Sequence, residues 1–393
     1  MADPWLTIIG INENGLAGLS QSSRHAIASA EVIYGGARHL ALAEADGRGK
    51  VWAVPFDLAP LLSGRGKPTV MLASGDPFWF GAGGSIAAHL DRSEWIAHPA
   101  PSTFALAACR LGWRLEDVLC LGLHAAPFER LVPLLHQDAQ IICLVRDGAA
   151  AVALAQWLVD HGWGQSQIWS LSALGGPREV IKHATAATVS ETAMAAPIAV
   201  AIKAVGCSGL PRISGLADDL FKNDGQLTKR PVRALALSAL APRPGERLWD
   251  IGAGCGSITI EWALAGGHAI AIEPRADRMA NIQMNCDAFG IEHRVQCVHA
   301  TAPDGLAGLA HPDAVFVGGG LSAALINDLS TRLRAGTRIV AHAVTLETEA
   351  TLADLQSRYG GELMRFEIAQ AEPLGRMRSW KASRPITQWS GAL

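Results

Sequence analysis

The chain has 393 residues, 49% hydrophobic and 18% charged, with a formal net charge of −3. It is too long for one ordinary core and too apolar for a disordered chain, so two domains of an α/β kind are expected, and its slight acidity offers nucleic acid no basic field. Seven cysteines lie scattered without a C-x-x-C pair and no H-E-x-x-H occurs, which argues for a reducing compartment and against a disulfide frame or a metal site. The opening Met-Ala-Asp-Pro-Trp lacks the regions of a signal peptide, and the longest uncharged apolar stretch, 193–202, is too short to span a bilayer, so a cytoplasmic protein is expected.

Read in order, the chain opens with an apolar strand over 6–10 that runs into Ile-Asn-Glu-Asn-Gly, a turn with Asx chemistry. Helical spacing over 22–30 precedes a strand at 32–34, stopped by Gly35-Gly36. A strand at 69–74 meets Gly75-Asp76-Pro77 and then Phe78-Trp79-Phe80-Gly81. Ser102 and Thr103 are placed to cap a helix over 104–111, because their hydroxyls accept from free N–H groups. Strands at 141–145, 167–171 and 198–201, with a helix over 149–158 between the first two, predict a largely parallel sheet.

Residues 32–40 (VIYGGARHL), 74–81 (SGDPFWFG) and 99–104 (PAPSTF), in this order and spacing, resemble the tetrapyrrole methylase family, most closely its subgroup acting on precorrin-6Y. The resemblance implies two αβα halves and a cleft that holds S-adenosyl-L-methionine in a folded shape, largely through backbone groups. Gly10, Ser74, Gly75, Asp76, Ser102 and Thr103 are the residues it carries to that cofactor. Two positions depart from the family. Asn12 stands where its opening loop has a second glycine, and Ala125-Ala126 follow His124 where it often has Gly-Arg.

The stretch 205–216 is rich in Gly, Ser and Pro and breaks both periodicities, so a linker is placed at 207–216, between domains 1–206 and 217–393. A solvated turn from 221 leads into a helix over 231–240, with Pro231 near its first turn. Residues 248–257 (LWDIGAGCGS) read as a buried strand that opens through Gly252, Gly254 and Gly256 onto a helix starting at Ser257. The next strand, 268–273, ends in Glu273, about 20 residues past the first glycine, the spacing at which a carboxylate grips a ribose. Alternating glycines also make purely structural turns, but with this acid in place a nucleotide-type ligand is expected. A helix over 275–289, a strand at 294–298 followed by Thr301 and Ala302, and a strand at 314–317 ending in Gly318-Gly319-Gly320 continue the alternation. Helix 322–333, strand 337–344, helix 347–359 and strand 362–369 complete it. Arg376, Arg378, Lys381 and Arg384 lie among Trp380 and Trp389, as a charged edge strand or as a surface for acidic groups.

The spacing G-x-G-x-G behind Asp250 resembles the class I S-adenosylmethionine methyltransferases. That resemblance implies a Rossmann-like sheet of seven strands, the last antiparallel, with Asp250 on the methionine amino group and Glu273 on the ribose hydroxyls. Around the rest of the cofactor it places Thr228, Gly252, Gly254, Gly256, Ser257, Thr301, Ala302 and Gly318, with 227–229 as a cap. The expected fold is therefore α/β, a tetrapyrrole methylase domain followed by a class I methyltransferase domain, with one S-adenosyl-L-methionine per domain. Fused in this order, the two halves resemble enzymes of cobalamin biosynthesis, and the resemblance implies methylation of precorrin-6Y at C5 by the first half, and at C15 with loss of the C12 acetate carboxylate by the second. Lys229, Arg230, Arg233 and Arg378 are the candidates for the carboxylates of this small-molecule tetrapyrrole. No general base and no metal ligand is identifiable. A homo-oligomer is expected, with neither nucleic acid nor membrane as partner. An RNA or protein methyltransferase, and a non-catalytic cofactor-binding module, are the alternatives.

Overall fold

The computed structural model describes residues 4–189 and 194–393. The residues 1–3 that open the segment read for a targeting signal, and residue 193 at the head of the apolar stretch, lie outside the described residues. The chain divides into two compact units, one of residues 1–128 and 134–208, the other of 129–133 and 209–393.

The first unit contains two five-stranded sheets. In one, β1 (Leu6–Ile11), β2 (Val32–Gly35), β3 (Gly49–Val51), β4 (Thr69–Ser74) and β5 (Trp95–His98) run parallel in the order β3-β2-β4-β1-β5. Both central strands are apolar at successive residues because both faces are covered. Ile9, Ile11, Val70 and Leu72 pack one face with Ile27, and Ile8, Met71 and Ala73 pack the other with Leu61 and Ile86.

The other sheet joins β6 (Leu119–Gly122), β7 (Gln140–Val145), β8 (Gln167–Ser172), β9 (Val180–Thr185) and β10 (Ile198–Lys203) in the order β6-β7-β10-β8-β9. Here the expected parallel sheet is corrected: only β6 and β7 pair in parallel, and the other three pairings are antiparallel. The connection between β8 and β9 is too short for a crossover, and β10 enters between β7 and β8 running against both. The helix Gly148–Asp160 carries the chain back between β7 and β8, which therefore run the same way.

In the second unit β11 (Arg247–Ile251), β12 (His268–Ile272), β13 (Val295–Val298), β14 (Ala314–Val317), β15 (Arg338–Ala343), β16 (Glu362–Phe366) and β19 (Ile386–Gly391) form one sheet. Its order is β13-β12-β11-β14-β15-β19-β16, with β19 antiparallel to both neighbours. The strand expected over 362–369 stops at Phe366. Residues beyond it form a separate hairpin of β17 (Ala369–Leu374) and β18 (Met377–Ala382). Thus 376–389 is not one charged edge strand: Trp380 is exposed on the hairpin, whereas Trp389 is fully buried in the core and donates to the Gly360 carbonyl at 2.9 Å.

The expected linker is also revised from Gly209 onward. Leu216 is buried with Phe221, and the N–H groups of Gly215 and Leu216 donate to the buried Glu261 carboxylate at 2.5 and 3.0 Å. Among the described residues no helix is long and apolar enough to cross a membrane, and no cluster of His, Cys, Asp and Glu could hold a metal ion.

Candidate active sites

Parallel strands present their carboxyl ends on one edge of a sheet, and β11 to β14 carry Asp250, Glu273, Thr301 and Gly318 at or beyond those ends. The three glycines after β11 all have positive φ but differ in surroundings. A Cβ on Gly252 would stand 2.9 Å from the Gly319 amide nitrogen, and one on Gly256 3.2 Å from Ile282, while one on Gly254 would meet nothing within 4 Å. One glycine lets two loops touch, one lets the helix Ala276–Ala288 dock, and Gly254 leaves space for a ligand.

Two buried acids face this loop with different needs. Glu273 accepts from the N–H groups of Gly254 and Arg275 at 2.9 and 3.1 Å, which leaves each oxygen a second lone pair. Asp250 Oδ2 accepts from the Thr259 N–H and hydroxyl at 3.1 and 2.7 Å, whereas Oδ1 is buried with no partner. Burial raises the Asp250 carboxyl from 3.8 to about 6, against the lowering effect of the Thr259 bonds. A buried acceptor of this kind is what a ligand ammonium satisfies, so these residues fit a cofactor that carries one.

Ser257 is buried at the start of the helix Ser257–Leu264, Ala302 packs against the core, and Thr301 is exposed beyond β13. Thr228 is held by its carbonyl, which accepts from Arg233 Nη1 at 2.5 Å. Asn285, buried on the helix Ala276–Ala288, receives the Lys222 N–H at 2.8 Å and donates to the carbonyls of Lys222 and Cys255 at 3.0 and 2.8 Å. It thereby ties the segment before Thr228 to the glycine loop. Nothing in its local sequence marks it.

Arg233 must be withdrawn as a partner for substrate. It is 0% exposed, bonded through Nε to Glu261 at 2.5 Å, through Nη1 to Asp218 at 3.1 Å and through Nη2 to the Leu216 carbonyl. In the helix Arg230–Leu240 the inward stripe is Val232, Arg233, Ala236, Leu237 and Leu240, and residue 233 falls on it. Lys229 remains exposed, 3.8 Å from Asp218, and Arg230 is exposed one residue on. Arg378 stands on the hairpin of β17 and β18, outside the main sheet.

In the first unit, a cavity of about 300 Å³ beside the end of β4 is lined by Ser74, Asp76, Ser102 and Thr103, facing the rings of Trp52, Trp79 and Phe80. Ser102 accepts from the Ala105 N–H at 3.1 Å and so caps the helix Thr103–Leu111, and Asp76 accepts from the Phe78 N–H at 2.9 Å. Gly75 has φ +55. Gly10 serves the chain itself, since a Cβ there would collide with the Gly75 carbonyl and the Ala100 amide. Sequence reasoning gave no role to Glu13, Arg38, His39 or Arg178. Buried Glu13 accepts from Arg38 and from Arg178, the latter at 2.9 Å, and Arg38 and His39 both reach Ser74 Oγ, at 2.7 and 2.8 Å.

A first unit with a cavity beside a glycine turn, and a second whose glycine loop faces two buried acids, fit a two-domain methyltransferase, and the comparisons agree. Residues 6–190 match the family described as Tetrapyrrole (Corrin/Porphyrin) Methylases, and residues 219–392 match the Precorrin methyltransferase domain. The chain is 45% identical to the precorrin-6Y C(5,15)-methyltransferase (decarboxylating) of Sinorhizobium sp, over 99% of its own length and 97% of that protein. It is 37% identical to the Mycobacterium tuberculosis H37Rv protein of that name, over 98% of this chain and 99% of the relative. The chain belongs to the precorrin-6Y C(5,15)-methyltransferase (decarboxylating) family. A shorter relative, the probable cobalt-precorrin-6B C(15)-methyltransferase (decarboxylating) of Pyrobaculum calidifontis, is 34% identical over 44% of this chain and 92% of its own. Among solved structures, the C-terminal domain of the Rhodobacter capsulatus precorrin-6Y C5,15-methyltransferase is 58% identical and covers 47% of this chain and 100% of that one, with a TM-score of 0.46.

Proposed function

We propose that this chain methylates precorrin-6Y at C5 and C15 and removes the C12 acetate carboxylate in cobalamin biosynthesis, binding S-adenosyl-L-methionine once in each unit. The observation that carries this reading is the pairing of two different glycine-turn sites on a chain whose full-length relatives are named for both transfers. We assign C5 to the first unit, and C15 with decarboxylation to the second. The relative that matches only 44% of this chain carries C15 methylation and decarboxylation in one name, which supports keeping those two together.

When bound, the cofactor supplies an activated methyl on a sulfonium, for which an electron-rich ring carbon is the nucleophile. The chain's task is to bind, align and exclude water. In the second unit Asp250 Oδ1 accepts from the ligand ammonium, Glu273 takes the ribose hydroxyls, and Gly254 leaves the room. Thr228, Gly252, Gly256, Ser257, Thr301, Ala302 and Gly318 shape the rest of that site. In the first unit Ser74, Gly75, Asp76, Ser102 and Thr103 form the corresponding wall. Exposed Lys229, Arg230 and Arg378 serve the substrate's carboxylates. The departing carboxylate itself needs a neutral surround, because a tight charge partner would stabilise it before it leaves. The bare loop 318–320 offers one.

Full-length protein given precorrin-6Y and methyl-labelled cofactor should transfer two labels and release one CO₂. At limiting cofactor, Glu273→Ala should keep the C5 label and slow the C15 label with the CO₂, and Asp76→Ala should do the reverse. Loss of both labels in either single variant would overturn the assignment of one site per unit.

A further inference from the structure

His39 lies on the helix Ala37–Leu42 after β2 and lines the cavity that holds Ser74 and Asp76. Its two ring nitrogens are unequal. Nε2 lies 2.8 Å from Arg38 Nη2 and 2.8 Å from Ser74 Oγ. A guanidinium only donates, so Nε2 accepts, and the proton of the neutral ring sits on Nδ1. Nδ1 is buried and has no hydrogen-bond partner. Arg38 is itself held by Glu13, so the ring cannot simply turn over without losing that arrangement.

Burial and the Arg38 charge lower the ring to about 4, which keeps it neutral at pH 7 and makes it a poor acceptor of protons. What it offers is a fixed N–H. A buried donor without an acceptor is destabilising unless a ligand supplies one. The remaining wall is aromatic, with Trp52, Phe56, Trp79 and Phe80 on the same cavity. Trp79 and Phe80 are exposed large apolar side chains, which a flat ligand would cover.

We propose that His39 is a ligand-binding residue of the first unit, its Nδ1–H donating to an acceptor atom on the edge of a flat conjugated ligand lying against Trp52 and Trp79. The proposal rests on the methyl-transfer reading of this unit. Two ligands of that reading share the chemistry: the tetrapyrrole, with its ring nitrogens and carboxylates, and the adenine of the cofactor.

The test uses the full-length chain and two substitutions that divide the imidazole. In His39→Asn the amide N–H can stand where Nδ1–H stands. In His39→Gln the amide reaches the Nε2 position and the Nδ1 donor is lost. Binding is measured in two arms, calorimetry with S-adenosyl-L-methionine and absorbance titration with a metal-free corrin bearing free acetate and propionate chains. His39→Asn should bind like the parent, and His39→Gln should bind one of the two ligands roughly tenfold or more weakly. The affected arm identifies the ligand, and the second unit's cofactor site is the internal reference. Gly36→Ala leaves every His39 bond in place but sets a methyl 3.5 Å from Nδ1, so it should weaken the same ligand. Parent-like binding by both His39→Gln and Gly36→Ala, or equal losses in the Asn and Gln variants, would overturn the proposal. A parent chain whose first unit bound neither ligand would overturn the methyl-transfer reading as well.

Discussion

In the first unit the buried side-chain atom left without a partner at the candidate site is a donor, His39 Nδ1–H; in the second it is an acceptor, Asp250 Oδ1. The surrounding bonds reach these opposite ends by one route. Arg38 and Ser74 occupy one nitrogen of His39, and Thr259 occupies one oxygen of Asp250, so that a single atom of each remains without a partner. The frames differ more. Glu13 in the first unit is shared by two arginines that are partly in water, whereas Arg233 in the second is sealed among Glu261, Asp218 and two carbonyls. A ligand atom can be specified by a loose frame or a tight one, but the two frames should fail at very different energies.

Breaking the tight frame should give the largest effect. Arg233→Ala leaves Glu261 buried without its cation, and removing one member of a buried pair typically costs about 3–5 kcal/mol. Denaturant unfolding should show that loss in the second unit. Replacing both members with Met and Leu should not restore it, because the N–H groups of Gly215 and Leu216 also depend on Glu261. A double variant as stable as the parent would show that the frame is dispensable.

Next come the two titrating groups, whose pH effects have opposite sign. Asp250 is raised from 3.8 to about 6, so between those values the native state keeps a proton that the unfolded chain has lost. Its contribution to the second unit's stability therefore falls as pH rises through that window, by on the order of 3 kcal/mol. His39 is lowered from 6.5 to about 4, so the unfolded chain takes up a proton that the native state refuses. Its contribution to the first unit falls as pH drops from about 6.5 to 4, by on the order of 3 kcal/mol. Urea unfolding of the parent, Asp250→Asn and His39→Asn at pH 4.5 and 7 separates the two. Asp250→Asn should stabilise the ligand-free second unit at pH 7 while weakening cofactor binding. Variants that changed the pH slope in the same direction would break the contrast.

How much of this could be read from the residues alone follows the distance over which each feature acts. The placement of Asp250 and Glu273 beside the glycine loop was legible, because glycine spacing and a strand end mark it locally. The inserted β19 was not, since its neighbours β15 and β16 are chosen by the sheet and not by local pattern. Arg233 was misread because a charge was assumed to face water, although 233, 236, 237 and 240 make one helical stripe. Its partner Glu261 sits inside the apolar run SITIEWAL, 28 residues away, and that lone acid was the available signal. His39 was visible as part of a motif, but its tautomer is set by the neighbouring Arg38, whose guanidinium is held in place by Glu13 and Ser74, 25 and 36 residues away from it. The strand β9 was not expected from the sequence, so the antiparallel pair it makes with β8 was missed with it.

A smaller loss is expected at Glu273, where a single carboxylate is removed and the glycine loop stays. Glu273→Ala gives up the charge-assisted bonds proposed to the ribose hydroxyls, and should weaken cofactor binding to the second unit about tenfold, or about 1.4 kcal/mol. Calorimetry on the full chain should show that change with the first unit's site unmoved. The Gly254 N–H also loses its acceptor in this variant. A Glu273→Asp variant that kept loop stability without keeping affinity would separate the two roles.

The smallest effect belongs to the loose frame. Arg178 reaches Glu13 at 2.9 Å, but its side chain is 63% exposed, against 0% for Arg233. A pair with one member largely in water is screened and contributes about 0–1 kcal/mol. Arg178→Ala also leaves Glu13 its other partner, Arg38, so no charge is stranded. Its cost should therefore stay below about 1 kcal/mol and shrink as salt is added, whereas the Arg233→Ala loss should hardly respond to salt. Unfolding at 0.1 M and 1 M NaCl compares them directly. Equal losses, or equal salt responses, would mean that burial does not distinguish the two frames after all.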